Sequence, residues 1–243
     1  MNVNQIVEQP LISIITVVLN GHKYIEDTLQ SVTNQSYANI EYIIIDGGSN
    51  DGTQDIIRRY EDKISYWISE KDAGLYYAMN KGINMASGEW INFMNAGDFF
   101  FDINTISNIA TELNTDLVYG DYARYQKDKN AYQVINSLKQ NDRWNIPFCH
   151  QSLFSRREIL RRYPFNTDYK IAADYNQYLT FKKANIPSKH VPLVVSCYLE
   201  DGISAVSKNI WIKEHRHIHR KHFWLSADLL YFLRLCKLKL TGK

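Results

Sequence analysis

The strongest constraint on this chain is a pair of apolar runs that each stop at a carboxylate. One is Ile43-Ile44-Ile45-Asp46, and the other runs from Trp90 through Phe93 and Met94 to Asp98. Short, unbroken apolar runs read as strands buried on both faces, as parallel strands are. A carboxylate at the carboxyl end of such a strand stands where open α/β sheets bind their ligands. Two such ends in one half of a chain predict a single crevice. One acid there can orient a polar ligand, and the other can hold a divalent cation.

The segments between and around these runs complete the pattern. Residues 11–19 form a first apolar strand, and residues 22–34 carry Ile25, Leu29 and Val32 at helical spacing. Residues 40–45 form a second strand, after which Asp51 or Thr53 can cap a helix bearing Ile56, Ile57 and Tyr60. Residues 64–69 read as a third strand and 89–94 as a fourth. Between them, residues 73–86 turn Leu75, Met79, Gly82, Ile83 and Ala86 to one side of a helix. The order β-α-β-α-β-α-β predicts an α/β fold: a doubly wound, mostly parallel central sheet with helices on both faces and right-handed crossovers. Beyond Asp98 the alternation weakens. Helices are expected over 103–113, 148–160 and 172–184, and strands over 116–125, 131–135 and 190–199. No repeat or low-complexity linker intervenes, so residues 1–207 read as one domain and 208–243 as a C-terminal helical tail.

Bulk composition excludes several classes. Hydrophobic content of 45% and charge of 22% are those of an ordinary soluble domain. The N-terminal residues lack a basic-then-apolar signal pattern, and no apolar stretch nears the ~20 residues that span a bilayer. The three cysteines, Cys149, Cys197 and Cys236, are scattered without a CxxC pair, which fits a reducing, cytoplasmic setting. The net charge of +2 disfavours a nucleic-acid binder. The first strand ends in Val18-Leu19-Asn20-Gly21-His22 and lacks the glycine fingerprint of dinucleotide oxidoreductases. The 17 tyrosines and five tryptophans suit carbohydrate or nucleotide contacts, and equally suit plain packing. The tail is different. Basic residues outnumber Glu214 and Asp228 from residue 211 onward, and Leu225, Leu229, Phe232, Leu233 and Cys236 share one helical face. Such a basic amphipathic helix either lies on an anionic membrane surface or docks on its own domain. His215, His217, His219 and His222 have helical spacing, but Arg216, Arg220 and Lys221 would repel a cation, so a solvated helix face is expected there.

Several strings together carry a family resemblance: residues 12–20, Asp46-Gly47-Gly48-Ser49-Asn50-Asp51-Gly52-Thr53, residues 69–82 with Asp72-Ala73-Gly74, and Asn95-Ala96-Gly97-Asp98. In this order they resemble family 2 glycosyltransferases, most closely those that build bacterial capsule, exopolysaccharide and lipopolysaccharide O-chains. The likeness covers about residues 11–200 and is densest before Phe100. It implies a GT-A fold, a nucleotide-sugar donor, a divalent metal (Mn²⁺ or Mg²⁺) and inversion at the anomeric carbon. It also implies a donor-binding half over about 11–100 and an acceptor-binding half over about 101–207.

Carried over residue by residue, the resemblance makes Asp98 the metal ligand and Asn95 the first position of the same motif, neutral here and followed by Ala96 and Gly97. Thr16, Val17, Val18 and Asn20 at the first strand end would line the donor site, as would Asp46, Gly47, Asp72, Asn80 and Lys81. Val17, Val18 and Leu19 stand where many members carry an aromatic, and Gly47 where a second Asp is common. A carboxylate accepting from base or ribose suits Asp46, although a helix cap is the plain alternative. Asp174, within Ile171-Ala172-Ala173-Asp174-Tyr175, matches the family's usual base, with an N-cap as the alternative. Asp121 is the rival carboxylate, and His150-Gln151 would touch donor phosphate or acceptor. The expected activity is transfer of a sugar, UDP-linked in most of the family, to a glycan or lipid-linked acceptor. The tail would make peripheral contact with the inner face of the cytoplasmic membrane. A homodimer stays open. The weakened acidic motif leaves a second reading, a catalytically inactive nucleotide-sugar-binding assembly factor.

Overall fold

A computed structural model describes residues 9–126, 131–139, 146–199 and 208–223. The first half follows the alternation in the sequence. Strands β1 (Ile12–Val18), β2 (Ile40–Asp46), β3 (Tyr66–Ser69) and β4 (Trp90–Phe93) are joined by α1 (Ile25–Thr33), α2 (Thr53–Arg58) and α3 (Leu75–Met85). They pair in parallel in the order β3-β2-β1-β4. The chain therefore reverses its direction of travel across the sheet between β1 and β4. At such a switch point neighbouring strand tips open a crevice.

Both faces of this half are covered. Ile15, Val17, Ile43 and Ile45 pack with Met79 and Ile83 of α3 on one side. Ile12, Ile14, Val18 and Ile44 pack with Leu29 of α1 and Ile57 of α2 on the other. Every residue of β1 is buried, including Ser13 and Thr16. Thr16 is accommodated because its hydroxyl donates to Met94 O at 2.7 Å and lies 3.0 Å from Tyr42 Oη. Burial on two faces leaves no alternation of polar and apolar residues, which is why these strands read as apolar runs.

The second half is mixed. Strand β5 (Phe99–Phe100) follows directly on the β4 loop, α4 (Thr105–Ala110) lies beyond it, and β6 (Leu117–Gln126) and β7 (Ala131–Ile135) form an antiparallel pair. The structure then departs from expectation. Residues 148–160 are not one helix but a 3-10 turn (His150–Ser152), strand β8 (Leu153–Arg156) and α5 (Arg157–Arg162). Strand β8 sits antiparallel between β4 and β6, with Ser155 opposite both Ile91 and Leu117. Two ladders take up its backbone groups, and this tertiary pairing overrides a segment whose local pattern suits a helix. Helix α6 (Ala173–Lys183) and strand β9 (Ser188–Leu199) follow, and β9 runs parallel to β6 and antiparallel to β5.

The described part of the C-terminal segment is helix α7 (Lys208–Phe223). It is not a solvated stalk: Ile218, His215 and His219 are buried against the domain. His215 stacks on Tyr175 of α6 at 4.4 Å with planes 4° apart. The apolar face expected over Leu225, Leu229, Phe232 and Leu233 lies outside the described residues, as does Cys236.

One glycine shows how closely the layers approach. A β-carbon on Gly82 of α3 would stand 2.5 Å from Ile15 Cγ2 of β1. We predict that Gly82→Leu destabilises the fold by about 1–3 kcal/mol through overpacking, read as a lower denaturant midpoint. An unchanged midpoint would show that the α3–β1 contact is looser than this.

Candidate active site

The β4 loop is the centre of the site. Gly97 turns the chain with φ near 100° and donates its N–H to Thr28 Oγ1 of α1 at 3.0 Å. Thr28 Oγ1 in turn donates to Asp98 O at 2.8 Å. A β-branched or bulky residue would resist this backbone conformation, so glycine fits the middle of the motif. The Asp98 carboxylate accepts from Gln151 Nε2, and Gln151 Oε1 accepts from Cys149 Sγ. Asn95 reaches the same turn, with Nδ2 lying 2.9 Å from His150 Nε2. The 3-10 turn ahead of β8 therefore places His150 and Gln151 directly over the Asn95–Asp98 loop.

His150 and Asp174 face each other, with Nδ1 and Oδ2 at 3.8 Å and side chains 26% and 25% exposed. With Nε2 accepting from the Asn95 amide, Nδ1 carries the imidazole proton toward Asp174. Both residues border a small apolar cavity of about 20 Å³ whose walls include Phe93, Phe148, Phe165 and Tyr178. Burial in these surroundings pushes the imidazole down to about 4 and keeps it neutral. It pushes the Asp174 carboxyl up to about 6, against hydrogen bonds from Tyr175 N and Tyr76 that favour the charged form. The 3.8 Å approach is therefore proximity of a neutral ring to an acid, not an ion pair. Asp174 is the second residue of α6, where its carboxylate accepts from Tyr175 N at 2.8 Å; the cap position is Ala172. The plain N-cap alternative is thereby removed.

On the β1–β2–β3 side the acids divide sharply. Asp46 is fully buried. Its carboxylate accepts from Ser49 N at 3.0 Å and from the hydroxyls of Ser49 and Ser69. Rather than facing a ligand, as expected, it ties down the turn after β2. Asn20, with φ of 53°, closes the same turn by accepting from Asn50 N at 3.1 Å and donating its N–H to Ser49 Oγ at 2.7 Å. Val17 and Val18 are buried, and Leu19 is the strand-end residue that meets solvent. Asp72 is the acid with an unspent oxygen. Its Oδ1 binds Lys81 Nζ at 2.8 Å, while its buried Oδ2 has no hydrogen-bond partner and points at Gly47. A β-carbon at Gly47 would lie 3.6 Å from that oxygen.

Four further expected site residues have their polar groups engaged within the protein. Thr16 is sealed in the sheet by Met94 O and Tyr42, out of reach of a donor. Asn80 spends its amide on the backbone of Phe165, donating to the carbonyl at 2.8 Å and accepting from the N–H at 3.0 Å. Lys81 bridges Glu70 and Asp72 and is not a loose counter-charge for phosphate. Asp121 sits at a bulge in β6 and is consumed by Ser137 N at 2.9 Å, His190 Nε2 at 2.8 Å and Asn136 Nδ2 at 3.1 Å. It holds a hairpin together and is no rival base.

For a divalent cation the available ligands are oxygens. No group of three or more histidine, cysteine or acidic side chains gathers among the described residues. The Asp98 carboxylate and Asn95 Oδ1, which is buried without a hydrogen-bond partner, are hard donors of the kind Mg²⁺ and Mn²⁺ take. They fit an incomplete shell that a ligand's phosphate oxygens would finish. Sequence reading missed three residues: Thr28, Tyr76 and Glu214. Tyr76 Oη donates to Ile171 O at 2.6 Å and reaches Asp174 Oδ1 at 3.3 Å. No local pattern marks these residues, because each acts across the fold.

Comparisons with known proteins bear on the family and the fold. Residues 13–164 match the family model described as glycosyl transferase family 2. A glycosyltransferase of Mycobacterium bovis named for PGL/p-HBAD biosynthesis is 29% identical over 202 residues, covering 79% of this chain and 78% of its own. The crystal structure of Staphylococcus aureus TarS 1–349 with UDP-GlcNAc superposes with a TM-score of 0.68 at 16% identity, over 89% of this chain and 69% of that one. This chain spans 39% of the longer TarS structure. Mannosyltransferase PcManGT of Pyrobaculum calidifontis, in complex with GDP-Man and Mn²⁺, superposes with a TM-score of 0.64 at 18% identity, over 95% of this chain and 65% of that one. At such identities the structural likeness is one of fold, the GT-A arrangement. Because the family model spans more than half its length, the chain belongs to glycosyl transferase family 2 and is a glycosyltransferase.

Proposed function

We propose that this glycosyltransferase moves a sugar, with inversion, from a UDP-linked donor to a glycan or lipid-linked acceptor in surface polysaccharide synthesis. The reading is carried by one observation: Asp174, raised to about 6 by burial, stands 3.8 Å from His150, whose other ring nitrogen meets Asn95 of the Asn95–Asp98 loop. A general base works best when its pKa lies near the working pH. The relative named for PGL/p-HBAD biosynthesis and the TarS complex with UDP-GlcNAc support the substrate classes. The PcManGT complex with Mn²⁺ supports the metal, and its GDP-Man keeps the choice of nucleotide a matter for experiment.

The roles divide between the two halves. In the donor half, about 11–100, the unpartnered Asp72 Oδ2 accepts from a base or ribose donor beside Gly47 and Leu19. Asp46 and Asn20 act behind it, shaping the turn. Asp98 and Asn95 hold the divalent cation, which when bound offsets charge on the departing diphosphate. In the acceptor half, about 101–207, Asp174 takes the proton of the acceptor hydroxyl as that oxygen bonds to the anomeric carbon. The bond from that carbon to the diphosphate oxygen breaks on the opposite face, so configuration inverts. Neutral His150 and Gln151 hold the loop and Asp98 in place, and His150 Nδ1–H is available to acceptor or phosphate oxygen. The basic segment beyond Phe223 is assigned to the membrane surface, where a lipid-linked acceptor would be met. No helix among the described residues is long and apolar enough to cross a bilayer.

Two tests follow from these roles. In a thermal-shift panel of nucleotide sugars with and without Mn²⁺, a UDP-sugar should raise the melting temperature by mass action, and more so with metal. Asp98→Ala should abolish the metal increment. No shift with any nucleotide sugar would sink the donor assignment.

The second test concerns Asp174. Asp174→Asn should lose about 10²–10⁴ in turnover while still binding donor. In the wild type, kcat/KM should fall as pH drops below about 6, where Asp174 takes up its proton. The stability effect has the opposite sense. The folded protein holds this proton up to about 6 and the unfolded chain only to 3.8, so ionisation costs the fold more as pH rises through that window. Asp174→Asn should therefore melt higher than wild type above pH 6, and the gap should close near pH 4. Full turnover in this variant would remove Asp174 from the chemistry.

A further inference from the structure

Three backbone N–H groups just ahead of Asp174 converge on one side chain of α7. Lys170 N, Ile171 N and Ala172 N donate to the Glu214 carboxylate at 2.7, 3.0 and 2.9 Å. Helix α6 has no side-chain cap of its own, so these donors depend on an acid some forty residues further along the chain. An anion suits this place, since helix N-termini carry partial positive charge. From the other side, Tyr76 of α3 binds Ile171 O and reaches Asp174 Oδ1. Segment 170–174 is thus held between two helices far apart in sequence.

Helix α7 is in turn fixed to α6. Tyr175, next to Asp174, stacks on His215 and places its hydroxyl 3.0 Å from His219 Nε2. His222 Nε2 lies 3.2 Å from Asn176 Oδ1, and Ile218 is buried in the core beside α6. Trp211 packs its ring on His215 at 3.9 Å. These contacts hold Glu214 in register with the start of α6.

We propose that Glu214 is the positioning residue for Asp174: its carboxylate anchors the 170–172 backbone and so holds the base opposite His150, making α7 part of the active site. This rests on the reading of Asp174 as proton acceptor. The groups that face Asp174 are Tyr76 of α3, Cys149 and His150 ahead of β8, and Glu214 of α7. Burial is the main force raising the Asp174 carboxyl, and the Glu214 carboxylate adds a smaller push in the same direction.

The test uses the full chain in three variants: Glu214→Gln, Glu214→Asp and Asp174→Asn. Carboxyl-labelled aspartate lets NMR follow the Asp174 titration, assigned by its loss in Asp174→Asn. Glu214→Gln removes the like charge and one of the two acceptor oxygens. Any change in the Asp174 midpoint should be downward, since burial remains the main cause of its rise. Turnover of the donor selected by the thermal-shift panel should fall about tenfold or more, with donor affinity unchanged. Glu214→Asp keeps the charge but draws the carboxylate back, so turnover should fall while the Asp174 midpoint stays near wild type. Wild-type turnover in Glu214→Gln, or donor affinity lost in step with turnover, overturns the proposal. Should that variant not fold, wild-type turnover in Glu214→Asp overturns it instead. Failure of the base reading is separate: it appears as full turnover in Asp174→Asn, whatever the Glu214 variants do.

Discussion

Burial of β1 and β2 on both faces is the constraint from which the rest of the molecule follows. Every side chain of β1 is out of solvent, so those strands can carry almost nothing polar along their length. The exceptions, Ser13 and Thr16, are tolerated because Glu41, Met94 O and Tyr42 hydrogen-bond to them. Polar chemistry is displaced to the carboxyl ends, where Asp46, Ser69 and the Asn95–Asp98 loop emerge side by side. The switch between β1 and β4 opens the space between those ends.

What each acid can do there is decided by the donors around it. A carboxylate presents about four acceptor positions, and a buried one left short of partners costs about 1–3 kcal/mol. Asp46 and Asp121 are each surrounded by three donors and have become structural. Asp72 Oδ2 and Asn95 Oδ1 are buried and unpartnered, and Asp174 is held in apolar surroundings that disfavour its charge. Two buried oxygens without a hydrogen-bond partner thus lie at the places assigned to donor and metal. Active sites commonly sacrifice stability in this way.

The second half supplies groups the first cannot. Strand β8 brings the His150–Ser152 turn against β4, and α6 swings Asp174 to the same point. Neither alignment depends on local sequence preference. Both depend on a mixed sheet in which β8 fills the gap between β4 and β6, and on α3 and α7 gripping the start of α6.

Much of this molecule was legible in the chain itself. The strand runs ending at Asp46 and Asp98, the helical spacing of Ile25, Leu29 and Val32, and the motif order led to the α/β architecture and the family, because two-sided burial leaves a one-dimensional trace. Asp72, Asp98, His150, Gln151 and Asp174 stand out as candidates in the same way, and the last four lie around one loop. Which acids stay available could not be read, since Asp46 and Asp121 look no different in sequence from Asp72 and Asp174. Ser49 beside Asp46 is local, but Ser69, Asn136 and His190 are brought near only by folding. For the same reason β8 was mistaken for helix and Glu214 for part of a solvated tail. Sequence alone determined the strands and helices of the first half and the family, because burial period and motif are local. Tertiary structure alone decided which polar groups are spent and which remain, because hydrogen bonds and desolvation depend on neighbours distant along the chain.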